Sequence, residues 1–213
     1  TAIIGSTGSG KSTIANLMMG FFDIENGTIF IDGKDVRDYP QDKLRERIGY
    51  VPQKNVLFSG DIASNLNFGN SEGTEQDWQN ASQIACAEEF IIKKENGYHD
   101  KIAQGGTNLS GGQRQRMAIA RAIMKKPEIY VFDDSFSALD MKTDQTLRHN
   151  LKAAMGEASV ILVAQRVSTI IDADQILVVD DGMIIGQGTH QELLKNCPLY
   201  REIAEIQLGK EDD

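Results

Sequence analysis

Near the start of the chain, Gly5-Ser6-Thr7-Gly8-Ser9-Gly10-Lys11-Ser12 carries the spacing G-x-x-x-x-G-K-[ST]. Glycines so placed let the backbone curl until successive N–H groups point at one anion. The lysine adds a point charge near the outer phosphates, and the hydroxyl offers a hard oxygen to a divalent cation. Together these groups have the chemistry of a triphosphate held with Mg²⁺. The spacing therefore assigns Gly5, Ser6, Thr7, Gly8, Ser9, Gly10, Lys11, Ser12 and the adjoining Thr13 to nucleotide binding, with Ser12 also a metal ligand. Lys11 is expected to be solvent-accessible, so that its loss opens no cavity.

A metal held by one hydroxyl needs a carboxylate as well. Ile129-Tyr130-Val131-Phe132-Asp133 is an apolar strand that delivers one at its C-terminal end, which makes Asp133 the partner of Ser12. A third element, Leu109-Ser110-Gly111-Gly112-Gln113, places a serine hydroxyl and two glycine amides at the head of a helical run. A helix start of this kind is a site for an anion.

Positioning these groups requires particular elements. Thr1–Ile4 is a buried strand by composition, and Ile14, Leu17, Met18 and Phe21 recur at helical spacing after Lys11, so the loop joins a strand to a helix. Turns at Asn26-Gly27 and Asp32-Gly33 bracket a strand over Thr28–Ile31, and another strand is expected at Ile48–Val51. From Ser59 to Lys94 the pattern is helical, with Trp78, Ala81, Ile84 and Ala85 on one face. Ser110–Lys126 is a further helix, stopped by Pro127. Strands at Ile129–Phe132, Val160–Ala164 and Ile176–Val179 alternate with helices around Thr143–Met155 and Ser168–Asp172. Asp181-Gly182 turns into a strand at Met183–Ile185, Thr189 and Glu192 form a capping box, and Tyr200–Leu208 is a terminal helix. The expected class is α/β: a P-loop NTPase (RecA-like) parallel-sheet core over residues 1–53 and 126–213. An α-helical subdomain is inserted over 54–125, beside a partial antiparallel β margin. The short first strand implies that further sequence precedes Thr1.

The 213 residues carry 22 Lys and Arg against 31 Asp and Glu, for a net charge of −9. Such a surface repels polyanions, which argues against nucleic acid as a partner and against direct insertion among acidic lipids. No apolar run approaches the ~20 residues of a membrane helix. The two cysteines, Cys86 and Cys197, fit packing positions in a reducing compartment. The histidines, His99, His149 and His190, lack metal-ligand spacing and are expected in solvated or capping roles.

With Leu109–Gln113 in hand, the chain resembles the ATP-binding cassette (ABC) family across nearly all of its length and in that family's motif order. The resemblance implies that Leu109–Gln113 is the signature motif, which binds the γ-phosphate of ATP held by an opposite subunit. Gln53 in Val51-Pro52-Gln53 matches the Q-loop, with catalytic and metal-binding roles, and Ser137-Ala138-Leu139-Asp140 matches the D-loop. The stretches Leu57–Gly69 and Gly188–Leu194 look like segments of multidrug and peptide exporters. The implied setting is the cytoplasmic face of the cell membrane, with ATP and Mg²⁺ as cofactors. A second nucleotide-binding domain and the transmembrane domain of an exporter are the implied partners. Exporters also usually place an adenine-stacking aromatic residue upstream of the first glycine-rich loop, before the point where this sequence opens.

Three departures from the exporter pattern stand out. Asp134 follows Asp133 where the family places a catalytic glutamate; its carboxylate, one methylene shorter, falls roughly 1–1.5 Å from the position that polarises water. Gln165 takes the place of the switch histidine and cannot carry a positive charge. Gln104 replaces a glutamate shortly before the signature. By the family's geometry Asp134 and Gln165 share one composite site while the signature serves another, the pattern of a degenerate site in a heterodimeric exporter. One competing reading, a soluble cassette ATPase of DNA repair or translation, meets the short stretch of 97 residues from Ser12 to Asn108, which leaves little room for the insertions of that class. The other is a regulatory subunit that binds nucleotide without turnover.

Overall fold

The computed structural model describes residues 1–209. In chain order the first elements are β1 (Ala2–Gly5), α1 (Lys11–Met18), β2 (Phe30–Ile31), β3 (Lys34–Asp35), α2 (Gln41–Arg47) and β4 (Ile48–Val51). They are followed by β5 (Gly60–Asp61), α3 (Ile62–Asn67), α4 (Glu75–Ile84), α5 (Glu88–Ile91), β6 (Lys101–Ile102) and α6 (Gly111–Met124). The rest are β7 (Ile129–Asp133), α7 (Met141–Ala154), β8 (Ser159–Val163), α8 (Val167–Ile170), β9 (Ile176–Asp180), β10 (Met183–Gly188), α9 (His190–Asn196) and α10 (Pro198–Leu208). The chain divides into two compact units. One holds Thr1–Ile48, Val131–Ser137 and the chain from Val160 onward; the other holds Gly49–Tyr130 and Ala138–Ser159.

In the first unit every residue of β1 is buried, as an apolar strand covered on both faces must be. Its sheet runs β10-β9-β1-β8-β7, with β1 parallel to both its neighbours: Ala2 lies opposite Leu162 on β8 and Ile176 on β9. Strand β10 turns back antiparallel along β9 through Asp181-Gly182. The expected α/β class with a parallel core is therefore the one observed. Because β1 and β8, neighbours far apart in sequence, run parallel, the loops that follow both strands lie at one carboxyl edge, where open α/β sheets bind ligands. Below it Ile4, Val167, Ile170, Val178, Leu193, Tyr200 and Ala204 form a buried cluster that seats α8, α9 and α10 on the sheet.

Three local expectations change. The strand expected over Thr28–Ile31 is only Phe30–Ile31, paired with Lys34–Asp35. Asp32 and Gly33 both take positive φ, 49° and 75°, so the ladder is the short hairpin that such a turn closes. Helix α2 escapes a periodicity reading because Leu44 is its one buried residue. His190 is neither solvated nor a cap: it is 6% exposed, and its Nδ1 lies 2.7 Å from the Tyr200 hydroxyl.

In the second unit the helical pattern of 59–94 resolves into α3, α4 and α5, two of them begun by capping boxes. Asp61 accepts from the Ser64 N–H at 2.7 Å, and Thr74 and Asp77 bond each other's backbones. Helices α3 and α4 both pack on α6, which buries Met117, Ile119, Ala120 and Met124. This unit also contains Ala138–Ser159 with α7, within the span 126–213 that sequence order assigns to the core. Among the described residues no helix is long and apolar enough to cross a membrane.

Candidate nucleotide site

The site in the first unit starts from the close approach of two strands. A Cβ on Gly5 would lie 1.9 Å from the Val179 carbonyl oxygen, so only glycine lets β1 reach the loop in register with β9. The loop then closes on itself: the Ser9 N–H donates to the Ser6 carbonyl at 3.2 Å, and the Gly182 N–H donates to the Ser9 carbonyl at 3.0 Å. Gly10, at φ 103°, is the N-cap of α1 and brings no side-chain acceptor to its first turn, which also lacks acidic residues. The free N–H groups and positive dipole end of α1 are thus directed into the loop.

Lys11 corrects the expectation of an open, solvent-facing amine. It is 7% exposed, and its Nζ donates to the carbonyls of Gly5 at 2.9 Å and Ser6 at 2.6 Å and to Ser9 Oγ at 3.4 Å. The curl that aims N–H groups at an anion also leaves carbonyls within reach of the amine. Burial lowers the Lys11 pKa, while the charges of Asp134 and Asp133 act to raise it. Ser6, Thr7, Gly8 and Thr13 are exposed, whereas Ser9 is buried.

Ser12 Oγ donates to Asp133 Oδ1 at 2.9 Å, with Asp133 only 3% exposed. A hydroxyl and a carboxylate, both hard oxygens, suit a small cation such as Mg²⁺, which keeps several water or phosphate oxygens of its own. The next residue, Asp134, takes φ 47°, a conformation in which aspartate is enriched among non-glycine residues. Its N–H donates to the Val163 carbonyl at 2.8 Å. Asp134 Oδ2 accepts from Gln165 Nε2 at 3.0 Å, so two of the sequence's departures are bonded directly to each other. Arg166, which belongs to no motif of the sequence, donates from Nη2 to the Ser137 carbonyl at 3.3 Å, and Ser137 Oγ donates to the Asp134 carbonyl at 3.0 Å. A basic residue directly after Gln165 was its only signal.

The second unit carries Gln53, which follows β4 and is exposed, and the glycine-rich start of α6. There Ser110 is the N-cap: its Oγ accepts from the Gln113 N–H at 3.2 Å, and Gln113 Oε1 accepts from the Ser110 N–H at 3.0 Å. Among the described residues a Cβ added to Gly111 would meet nothing within 4 Å, while one on Gly112 would lie 3.2 Å from the Ala138 carbonyl oxygen. Asp140 caps α7, accepting from the Thr143 N–H at 3.0 Å.

Residues 1–137 match the family described as ABC transporter. The chain belongs to that family. As an ABC cassette it is 49% identical, over 97% of its length and 36% of the relative's, to an uncharacterised ABC transporter ATP-binding protein of Mycobacterium tuberculosis. It is 42% identical, over 98% of its length and 36% of the relative's, to the ATP-dependent lipid A-core flippase of Vibrio parahaemolyticus. The structure of a bacterial Atm1-family ABC exporter with ATP bound superposes on all of the cassette and on 37% of that chain, with a TM-score of 0.94 and 39% identity. The cassette therefore spans about a third of the length of the curated relatives it matches.

Proposed function

We propose that this cassette is the MgATP-binding part of an ABC exporter, paired with a second, non-identical cassette and with a transmembrane domain at the cytoplasmic face of the membrane. In this reading the phosphates lie in the loop Gly5–Ser12 against the start of α1, and Lys11 exchanges loop carbonyls for phosphate oxygens. Ser12 and Asp133 hold Mg²⁺, which when bound supplies positive charge to the phosphate oxygens. Ser110, Gly111, Gly112 and Gln113 complete the site of the partner cassette. The observation that carries the reading is the 2.9 Å meeting of Ser12 and Asp133 beside a helix start without a side-chain cap.

Hydrolysis at the cassette's own site is slow in this account. Asp134 has to orient a water molecule, yet its carboxylate is short, and the partner that holds one of its oxygens in place is the uncharged Gln165. Gln165 in turn spends an N–H on Asp134 and has no positive charge to offer the γ-phosphate. Similarity to a flippase and to an Atm1-family exporter supports the export reading over a soluble ATPase.

Titration calorimetry on the full-length transporter tests nucleotide binding. Lys11→Ala is expected to weaken MgATP affinity by ~10–100-fold, the worth of a charge-assisted hydrogen bond. Lys11→Met, which keeps the buried volume, is expected to behave alike. Unchanged affinity in both would overturn the assignment.

A further inference from the structure

Helix α10 is tied to the sheet by one stripe of residues. Tyr200 is fully buried, Ala204 is 3% exposed, and Ile203 packs on the same cluster. Residues 200, 203, 204 and 207 fall on one face of a helix, so the stripe that seats α10 carries Gln207 along as its next member. Gln207 uses both ends of its amide on a single loop. Its Nε2 donates to the Gln165 carbonyl at 2.8 Å, and its Oε1 accepts from the Val167 N–H at 2.7 Å.

That loop needs such a partner. Strand β8 ends at Val163 and α8 begins at Val167, so neither a ladder nor a helix pairs these backbone groups. Two bonds to peptides on either side of Arg166 fix the loop's orientation, where a single bond leaves a pivot. Gln165, held by its carbonyl, donates from its own amide to Asp134, and Arg166 reaches the Ser137 carbonyl. The grip is on backbone, so it does not depend on which side chain occupies position 165.

We propose that Gln207 is a positioning residue for ATP hydrolysis: the amide of the terminal helix clamps residues 165–167 and so sets where Gln165 stands beside Asp134. The inference rests on the nucleotide reading above. It makes the C-terminal helix part of the support of the hydrolytic machinery as well as of the core.

The test is single-turnover hydrolysis of labelled ATP by the full-length transporter with its partner, enzyme in excess, with MgATP affinity measured in parallel. The phase abolished by Lys11→Ala belongs to this cassette. Misplacing a reacting group by about 1 Å costs up to ~10²-fold, so Gln207→Ala is expected to slow that phase by ~10-fold or more with affinity within ~2-fold of wild type. Gln207→Glu discriminates positioning from bulk packing. Ionised, it accepts from Val167 but cannot donate to the Gln165 carbonyl; protonated, it does both. Its rate relative to wild type is therefore expected to be low at pH 8 and to recover as pH falls toward the ordinary glutamate range near ~4.3. A rate for Gln207→Ala within ~2-fold of wild type, a pH-independent ratio for Gln207→Glu, or affinity falling in step with rate would each overturn the clamp. If Lys11→Ala abolishes no phase, the nucleotide reading fails and takes the clamp with it, an outcome that the Gln207 variants cannot produce.

Discussion

Two helices of this cassette begin in glycine-rich sequence, and they begin differently. Helix α1 opens at Gly10, in the left-handed region with no side chain, and Lys11 adds a cation within its first turn. Helix α6 opens at Ser110 in extended conformation, and the reciprocal bonds of Ser110 and Gln113 satisfy part of its first turn from within. Both carry the same dipole of about half a charge, but only α1 presents it without a side-chain cap. The contrast suits two tasks. On the proposed reading the α1 start would hold most of an anion by itself, whereas α6, with its capped turn and open glycine at Gly111, would be a partial site to be completed by another surface.

The contrast is sharpened most by the pair of substitutions that, on the proposed reading, speeds hydrolysis on the α1 side. Asp134→Glu with Gln165→His is expected to raise turnover at this cassette's site by ~10²–10³-fold, the usual worth of a general base or a charge-stabilising group, and clearly more than either single change. The singles are expected to be non-additive, since both groups serve one transition state. Steady-state ATPase of the full-length transporter measures this. Turnover of ~1–10 s⁻¹ in the unmodified site would show Asp134 to be an adequate base and contradict the account.

A smaller effect separates the two helix starts as structures. Ser110→Ala removes the cap of α6 and is expected to cost ~1 kcal/mol of stability, read as a lower midpoint in denaturant. An unchanged midpoint would mean that the box contributes nothing. The smallest effect concerns α4, whose box uses a carboxylate where α6 uses an amide. Bonds from Thr74, side chain and backbone, and from Lys126 hold the Asp77 carboxyl at about 2, below its ordinary 3.8. A depressed carboxyl stabilises fully above its unfolded value, so this contribution is complete above pH ~4 and disappears as pH falls through about 2, while the box of α6 does not respond. The carboxyl carbon shift of Asp77 is expected to titrate near 2; a midpoint near 3.8 would contradict the bonded cap.

What the sequence made legible was the local and the periodic. The spacing of Gly5–Ser12 between a strand and a helix, the carboxylate at the end of an apolar strand and the Thr189–Glu192 box all depend on neighbours a few residues apart. The burial of Lys11 was not legible, because its charge says nothing of the carbonyls that the loop turns toward it. The bond between Asp134 and Gln165 was legible only as family geometry, and Gln207 not at all. Its role arises from α10 packing against a loop more than forty positions earlier in one case and forty in the other. Nor did any pattern mark α2, whose single buried leucine leaves no stripe.

The central claim is that the α1 start serves this cassette's own ATP and the α6 start serves its partner's. Photolabelling with an azido-ATP in the full-length transporter, its two chains separated by size, tests it directly. At sub-saturating nucleotide Lys11→Ala is expected to cut labelling of this chain by ~10–100-fold. Gly111→Asp adds a carboxylate where a Cβ meets none of the described residues within 4 Å, so the fold is expected to stand and this chain to keep its label. Turnover at the partner's site is expected to fail in that variant, because the carboxylate repels the phosphate it faces. Loss of label from this chain in Gly111→Asp, or full turnover with that substitution present, would contradict the division of labour between the two helix starts.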